Sequence, residues 1–126
     1  MLNDLCKELS LNGFPIDSFF EDKKHFGNII IKSHLNCGML SIVRDRGIWE
    51  CSILFHKEEI PLVAVVYLLK GISFEFEELS FNSDKSLVEW LVAQKNTLKL
   101  LSIKQILDAK CKWDTLTKER LKNMME

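Results

Sequence analysis

The spacing of hydrophobic residues predicts helices at both ends of the chain and strands between them. The N-terminal helix is predicted over residues 1–11, ending at Asn12-Gly13, because its leucines recur at helical spacing: Leu2, Leu5, Leu9 and Leu11. An irregular stretch carrying Phe19 and Phe20 follows. Three runs rich in β-branched or alternating apolar residues then predict strands over 28–33, 39–45 and 48–55.

The last two of these strands are expected to form a hairpin around Arg46-Gly47. Two residues suffice for such a turn, and glycine supplies the positive φ that it requires. With this turn Leu40 faces Ile53, Ile42 faces Cys51, and the opposite side is mostly polar. A shift by one residue would place the polar set in the core, so the pattern supports this register.

Four residues at the closed end of the hairpin are expected to have a structural role: Arg44, Asp45, Gly47 and Trp49. Arg44 faces Trp49 in the expected register, so its guanidinium is predicted to lie over the indole ring. Arg44 and Asp45 are predicted to hold the hairpin by a local ion pair.

After the strands the hydrophobic period changes and predicts helices. Residues 62–70, between Pro61 and Gly71, predict a short buried helix, although their β-branched content leaves a strand possible. Residues 72–81 alternate apolar and polar and predict a fourth strand or an extended connector.

Two further helices are expected, the first capped by Ser83 or Asp84 and the second beginning at Ser102. Their predicted core positions are Leu87, Val88, Leu91, Leu98 and Leu101 in the first and Ile103, Ile106, Trp113 and Met124 in the second. The sequence thus predicts a single domain over 1–126 with an α+β fold. A small antiparallel sheet of three or four strands packs against helices, and the C-terminal third is helical.

The composition is that of a folded protein, with 126 residues, 47% of them hydrophobic and 28% charged. A net charge of -1 gives no general reason to bind nucleic acid or a membrane surface. The longest apolar run, residues 60–69, is shorter than the about 20 residues that span a bilayer. The four cysteines show no disulfide framework, so we expect reduced thiols in a cytoplasmic protein.

Candidate chemistry is sparse. His34-x-x-Cys37 is the best fragment of a metal site, but no second ligand pair follows at a suitable spacing. Cys51 and His56 are the best nucleophile and base, yet the hairpin register points Cys51 toward the apolar side, where burial raises a thiol pKa. No hydrolase, zinc-protease or phosphate-loop motif is present. We therefore expect no catalytic residue, no metal and no cofactor.

Charge is distributed unevenly along the chain. Residues 1–84 carry 8 Lys and Arg against 13 Asp and Glu, whereas residues 85–126 carry 9 against 5. One interpretation is an ordinary polar surface balanced by a basic helix. The other is an acidic surface that binds a basic partner, with the candidate residues Glu58, Glu59, Glu75, Glu77, Glu78 and Asp84. Phe74, Phe76, Phe81 and Trp90 are candidate anchors within it, although the sequence favours a core position over an interface position for each of them.

Parts of the sequence resemble small bacterial immunity proteins. The similar segments are Phe26-Gly27-Asn28, then Leu40-Ser-Ile-Val-Arg-Asp-Arg-Gly-Ile-Trp49 in a strand-turn-strand, and Val88-Glu-Trp-Leu-Val-Ala-Gln-Lys-Asn96 in a helix. The resemblance covers about residues 26–121, and its specific part is Arg44–Gly47.

This resemblance implies a cognate inhibitor in a toxin–immunity system such as contact-dependent growth inhibition. Such proteins bind the toxin domain of a large delivered polymorphic toxin, commonly a nuclease, and cover its active site. A nuclease cleft is basic, which agrees with an acidic binding surface here. The alternative is a small cytosolic adaptor or regulatory module that binds a host protein and has no toxin partner. Monomer and dimer are equally compatible with the sequence.

Overall fold

Six antiparallel strands form one sheet in the computed structural model, which describes residues 2–24 and 27–125 but not the side chains of Leu2 and Asn3. The strand order is β1-β2-β3-β4-β5, and β6 also pairs with β4. Their bounds are β1 Ser18–Asp22, β2 Asn28–Leu35, β3 Gly38–Asp45, β4 Ile48–Phe55, β5 Glu58–Pro61 and β6 Ser80–Phe81. Phe26, one of the residues that carry the resemblance, lies outside the described residues.

The α+β class is confirmed, but the expectation of three or four strands is wrong. The prediction missed β1 and β5, whose sequences Ser-Phe-Phe-Glu-Asp and Glu-Glu-Ile-Pro show no clear alternation. Each lies at an edge of the sheet and pairs with one neighbouring strand. Because edge strands bury little side-chain surface, their local pattern is weak and pairing determines their conformation. Residues 72–81 combine an extended start, a 3-10 turn over Phe76–Leu79 and the short strand β6.

The β3–β4 hairpin has the predicted register throughout. Leu40 pairs with Ile53, and the turn residues Arg46 and Gly47 have φ values of 53° and 84°. The predicted contacts of Arg44 are absent, however. Within the described residues Arg44 forms no ion pair with Asp45 and no cation–π contact with Trp49. The turn is supported instead by Asn28, whose Oδ1 accepts a hydrogen bond from the Arg46 amide at 3.4 Å.

Five α-helices complete the fold over the described residues: α1 Leu2–Leu11, α2 Leu62–Lys70, α3 Asp84–Ala93, α4 Lys95–Leu100 and α5 Ile103–Met125. The bounds of α2 match the prediction, and Gly71 ends it in the left-handed region with φ 68°. α2 contacts both β4 and α5, which explains why its apolar residues are buried on more than one side. No helix in the described ranges combines the length and hydropathy needed to cross a membrane.

The predicted helical faces are mostly confirmed. Ser83 caps α3 by accepting a hydrogen bond from the Ser86 amide, and Ser102 and Gln105 bond reciprocally before α5. The expected core leucines are buried, but the helix that carries them breaks at Gln94 into α3 and α4. The predicted burial is wrong for three residues of the apolar stripes, whose side chains are exposed: Leu11 (87%), Ile103 (62%) and Met124 (74%). Helical spacing identifies a face, whereas the reach of the neighbouring elements decides how much of it is covered.

The helices cover a single face of the sheet. The strand residues that belong to the core all point to this inner face: Ile29, Ile31, Leu40, Ile42, Trp49, Cys51, Ile53 and Ile60. The alternate, outward-pointing residues contribute nothing to that core cluster. The sheet therefore separates an acidic and partly apolar outer surface from the helical layer.

Ser33 is a polar side chain inside this core. It is fully buried, and its Oγ has no hydrogen-bond partner among the residues that the structure describes. Because a buried hydroxyl without a partner costs about 1–3 kcal/mol, Ser33→Ala should raise the free energy of unfolding by about 1 kcal/mol. Urea-induced equilibrium unfolding measures this change. Ser41→Ala, on the outer face of the next strand, is the matched control and should leave stability unchanged; equal effects of the two substitutions would contradict the assignment.

Candidate protein-binding surface

Most of the predicted acidic residues lie along one edge of the sheet. β5 and β6 both pair with the side of β4 that faces away from β3, so the segments that adjoin them share this edge. We call the acidic side chains of β5 and of the 3-10 turn the acidic edge: Glu58, Glu59, Glu75, Glu77 and Glu78, all exposed. Two segments that are separate in sequence thus place carboxylates along the same edge of β4.

The members of the acidic edge differ in how they are held. Glu75 and Glu78 form a reciprocal capping box that holds the 3-10 turn, with the Glu75 amide donating to Glu78 Oε2 at 3.3 Å. Glu58 lies within electrostatic reach of Lys110, whose pKa is raised chiefly by its hydrogen bond to Asp114 and to a smaller extent by Glu58. Glu59 and Glu77 have no ion pair in the described part of the chain. Glu59 and Glu77 are therefore available to a partner's cations.

Asp84 has a different role from the one predicted. Its Oδ1 accepts a hydrogen bond from Nε1 of the buried Trp49 at 2.8 Å. This bond ties the first residue of α3 to the hairpin strand β4. Asp84 is thus a structural partner of Trp49 as well as an exposed carboxylate. The sequence could not predict this bond, because the two residues lie 35 positions apart.

An aromatic ladder adjoins the acidic edge. Four half-buried rings follow one another with centroid separations of 5.5, 6.0 and 5.5 Å: Tyr67, Phe74, Phe76 and Trp113. The guanidinium of Arg120 lies 3.7 Å from the centroid of Phe76. Phe74 and Phe76 alternate along the chain with the acidic residues of the 3-10 turn, so apolar and negatively charged surface are interleaved.

The other two candidate anchors belong more closely to the core. Phe81 and Trp90 stack on each other with their ring centroids 5.6 Å apart, and both pack against the buried cluster. This contact joins β6 to α3. Phe81 and Trp90 are therefore part of the packing against the core, whereas Phe74 and Phe76 are not among the residues packed against that cluster.

The histidines and cysteines singled out by the sequence are dispersed. The Nδ1 atom of the exposed His34 lies 2.8 Å from each carboxylate oxygen of Asp17, and this contact is the main reason that the pKa of Asp17 is lowered. Cys37 is buried, and burial raises the pKa of its thiol. Within residues 2–24 and 27–125 no three His, Cys, Asp or Glu side chains lie together so as to hold a metal ion.

Cys51 behaves as the hairpin register predicts. It is 1% exposed, and burial raises the pKa of its thiol far above the usual range.

Cys37 and His56 line one cleft of about 410 Å³, together with Phe55, Ile103 and Leu107. No hydrogen bond joins Cys37 to His56 among the described residues. Cys37 and His56 therefore share a cleft without forming a thiol–imidazole pair among the described residues.

Comparison with known proteins gives no relative. No family model, no curated protein and no solved structure matches the chain.

Proposed function

We propose that this protein is an immunity factor that binds a cognate bacterial toxin domain, a basic nuclease, and covers its active site. The observation that carries the proposal is the acidic edge, which collects carboxylates from β5 and the 3-10 turn beside the aromatic ladder. Negative charge accelerates association with a basic surface and selects against other partners. Half-buried aromatic rings at the same place supply the anchors on which interface affinity commonly depends.

The motif that resembles immunity proteins supports the proposal from a second direction. Arg44–Gly47 forms the end of β3 and the turn that leads to Trp49 in β4, and Trp49 is hydrogen-bonded to Asp84 of α3. In this proposal the motif stabilises the scaffold that presents the acidic edge. It does not itself contact the toxin.

The decisive experiment is affinity capture of the tagged protein from its own organism, with mass spectrometry of what is bound. A stoichiometric fragment of a large secreted protein, with nuclease activity that this protein inhibits, is the expected result. Capture of housekeeping proteins alone, from cells shown to express such a toxin, would favour the adaptor alternative.

Neutralising the acidic edge should slow binding to the captured fragment. Glu59→Gln with Glu77→Gln leaves the Glu75–Glu78 capping box intact. Because steering by charge acts on the encounter rate, we expect the association rate constant to fall several-fold at low salt, with the difference disappearing at about 0.5 M salt. Surface plasmon resonance measures both rate constants.

The matched control is Glu8→Gln with Glu21→Gln, which removes the same charge from two other exposed positions. Its association rate should remain within about twofold of the unmodified protein, the scatter expected of rim charges. If the two double variants slowed association equally, the net charge would be responsible and the acidic edge would not be the binding surface.

A further inference from the structure

The strand β1 forms one edge of the sheet and is exposed along most of its length. Among the described strands it pairs with β2 alone, so its other side presents backbone N–H and C=O groups that have no strand partner. Phe19 and Phe20 point to opposite faces of the sheet and are 43% and 58% exposed. Exposed apolar side chains on a free strand edge favour pairing with another chain. β1 is therefore a candidate interaction surface.

The helical layer stops short of β1. Phe19 pairs with Ile31 of the core, so Phe19 points to the face of the sheet that the helices cover. Its side chain is nevertheless exposed, which shows that the helices do not extend over this edge. On the other face Phe20 pairs with Ile30, which is itself 37% exposed. Both faces of β1 are therefore open beside the free edge.

A second copy of β1 is the partner that we consider for this edge. Two copies of an edge strand that run antiparallel are related by a two-fold axis, so each contact occurs twice and the assembly closes. When one residue lies opposite its own copy on this axis, every directly opposed pair points to the same face. The two helical layers then lie on the same side of one continuous sheet.

Charge selects one register of this kind. Placing Phe19 on the axis would set Asp17 opposite Glu21, and placing Glu21 on the axis would set it opposite its own copy. Both registers oppose like charges, which is destabilising across strands. Placing Phe20 on the axis sets Asp17 opposite Lys23, a pair of opposite charge. Phe20 is also the middle residue of β1, so this register pairs all five residues of the strand.

Asp17 and Lys23 lie directly before and after β1. The Asp17 amide donates a hydrogen bond to the carbonyl oxygen of Lys32 on β2 at 2.8 Å, which keeps Asp17 in line with the strand. The Asp17 carboxylate is held beside β2 by His34. Lys23 is exposed and forms no ion pair within the part of the chain that the structure describes. The edge is therefore self-complementary in charge at both ends of β1.

We infer that this protein forms a two-fold symmetric dimer in which β1 of each copy pairs antiparallel with β1 of the other, with Phe20 on the axis. The two Phe20 side chains lie opposite each other on one face, and the two Phe19 side chains are diagonal neighbours on the other face. The acidic edge lies at the far side of the sheet, about 19 Å away across five strands. The dimer leaves the acidic edge open, so this inference is independent of the proposed function.

Analytical ultracentrifugation of the full chain across concentration tests the dimer. We expect a weak, reversible monomer–dimer equilibrium, because a short strand buries less area than a standard interface. Phe20→Lys places two like charges opposite each other on the axis and should raise the dimer dissociation constant by about tenfold or more. Ile48→Lys, at an exposed apolar position of β4, is the matched control and should leave the equilibrium unchanged.

Exchanging the charges at the two ends of β1 tests the register. Lys23→Glu and Asp17→Lys each oppose like charges in their own dimer, so each should raise the dissociation constant about tenfold at low salt. In a mixture of the two variants both contacts join opposite charges, so the mixed dimer should form at the concentrations at which the unmodified chain dimerises. Lys24→Glu changes the neighbouring exposed lysine and should keep the dissociation constant within about twofold.

Circular dichroism establishes that each variant is folded, so loss of the dimer is separated from loss of the fold. An unmodified chain that stays monomeric up to about 1 mM would overturn the inference. A dimer that Phe20→Lys leaves intact, or a charge-exchanged mixture that stays monomeric, would overturn it as well. If Lys24→Glu weakened the dimer as much as Lys23→Glu, net charge would be responsible and the register would be wrong. None of these results bears on capture of a toxin, so the proposed function is tested separately.

Discussion

Replacing Trp49 with alanine should lower the free energy of unfolding by about 3–5 kcal/mol. The side chain is 1% exposed and is among the largest in the core. It also donates the hydrogen bond to Asp84 that connects β4 to α3. The substitution would leave a cavity and release this connection, and urea-induced unfolding followed by circular dichroism measures the loss.

A milder pair of variants keeps this prediction testable if Trp49→Ala does not fold. Trp49→Phe removes the indole N–H, and Asp84→Ala removes the acceptor at its other end. In a double-mutant cycle the two changes should couple by about 1 kcal/mol, the net value of one hydrogen bond. Strictly additive effects would show that the bond contributes nothing. Asp84→Asn keeps an acceptor oxygen and removes only the charge, so it should leave partner association near its normal rate if the role of Asp84 is structural.

Gly38→Ala should destabilise the protein by about 2–3 kcal/mol, the upper part of the range for overpacking. A Cβ atom at this position would lie 2.7 Å from the carbonyl oxygen of Leu54, which belongs to the neighbouring strand. Backbone in a sheet has little freedom to move away, and the φ of 158° is rarely adopted by residues with a side chain. Thermal and urea unfolding should both register the loss.

Gly47→Ala is the control that separates the cost of a positive φ from the cost of a steric clash between Cβ and the Leu54 carbonyl oxygen. Gly47 also has a positive φ, of 84°, but a Cβ there would meet no atom within 4 Å. Its substitution should cost about 1 kcal/mol, the usual penalty for an L residue in the left-handed region. If Gly38→Ala cost no more than Gly47→Ala, the close approach of Leu54 would not be the reason for glycine at position 38.

The candidate site was predictable in its composition and not in its arrangement. The acidic character of residues 58–84 follows from the sequence, and so does the turn that precedes Trp49. The bond from Trp49 to Asp84 spans thirty-five positions and has no local signal. The stacking of Phe76 on Trp113 and the position of Arg120 over Phe76 likewise depend on how α5 crosses the 3-10 turn.

Local patterns alone determined the β3–β4 register, the bounds of α2 and the cap of α3, because turn chemistry, capping and hydrophobic period act over a few residues. The tertiary structure decided the edge strands β1 and β5, the break at Gln94 and the exposure of Ile103 and Met124. These features depend on which neighbour supplies a pairing partner or a covering surface. Pairing and burial join residues far apart in sequence, so the tertiary structure also decided which carboxylates share the acidic edge and which side of the sheet stays open.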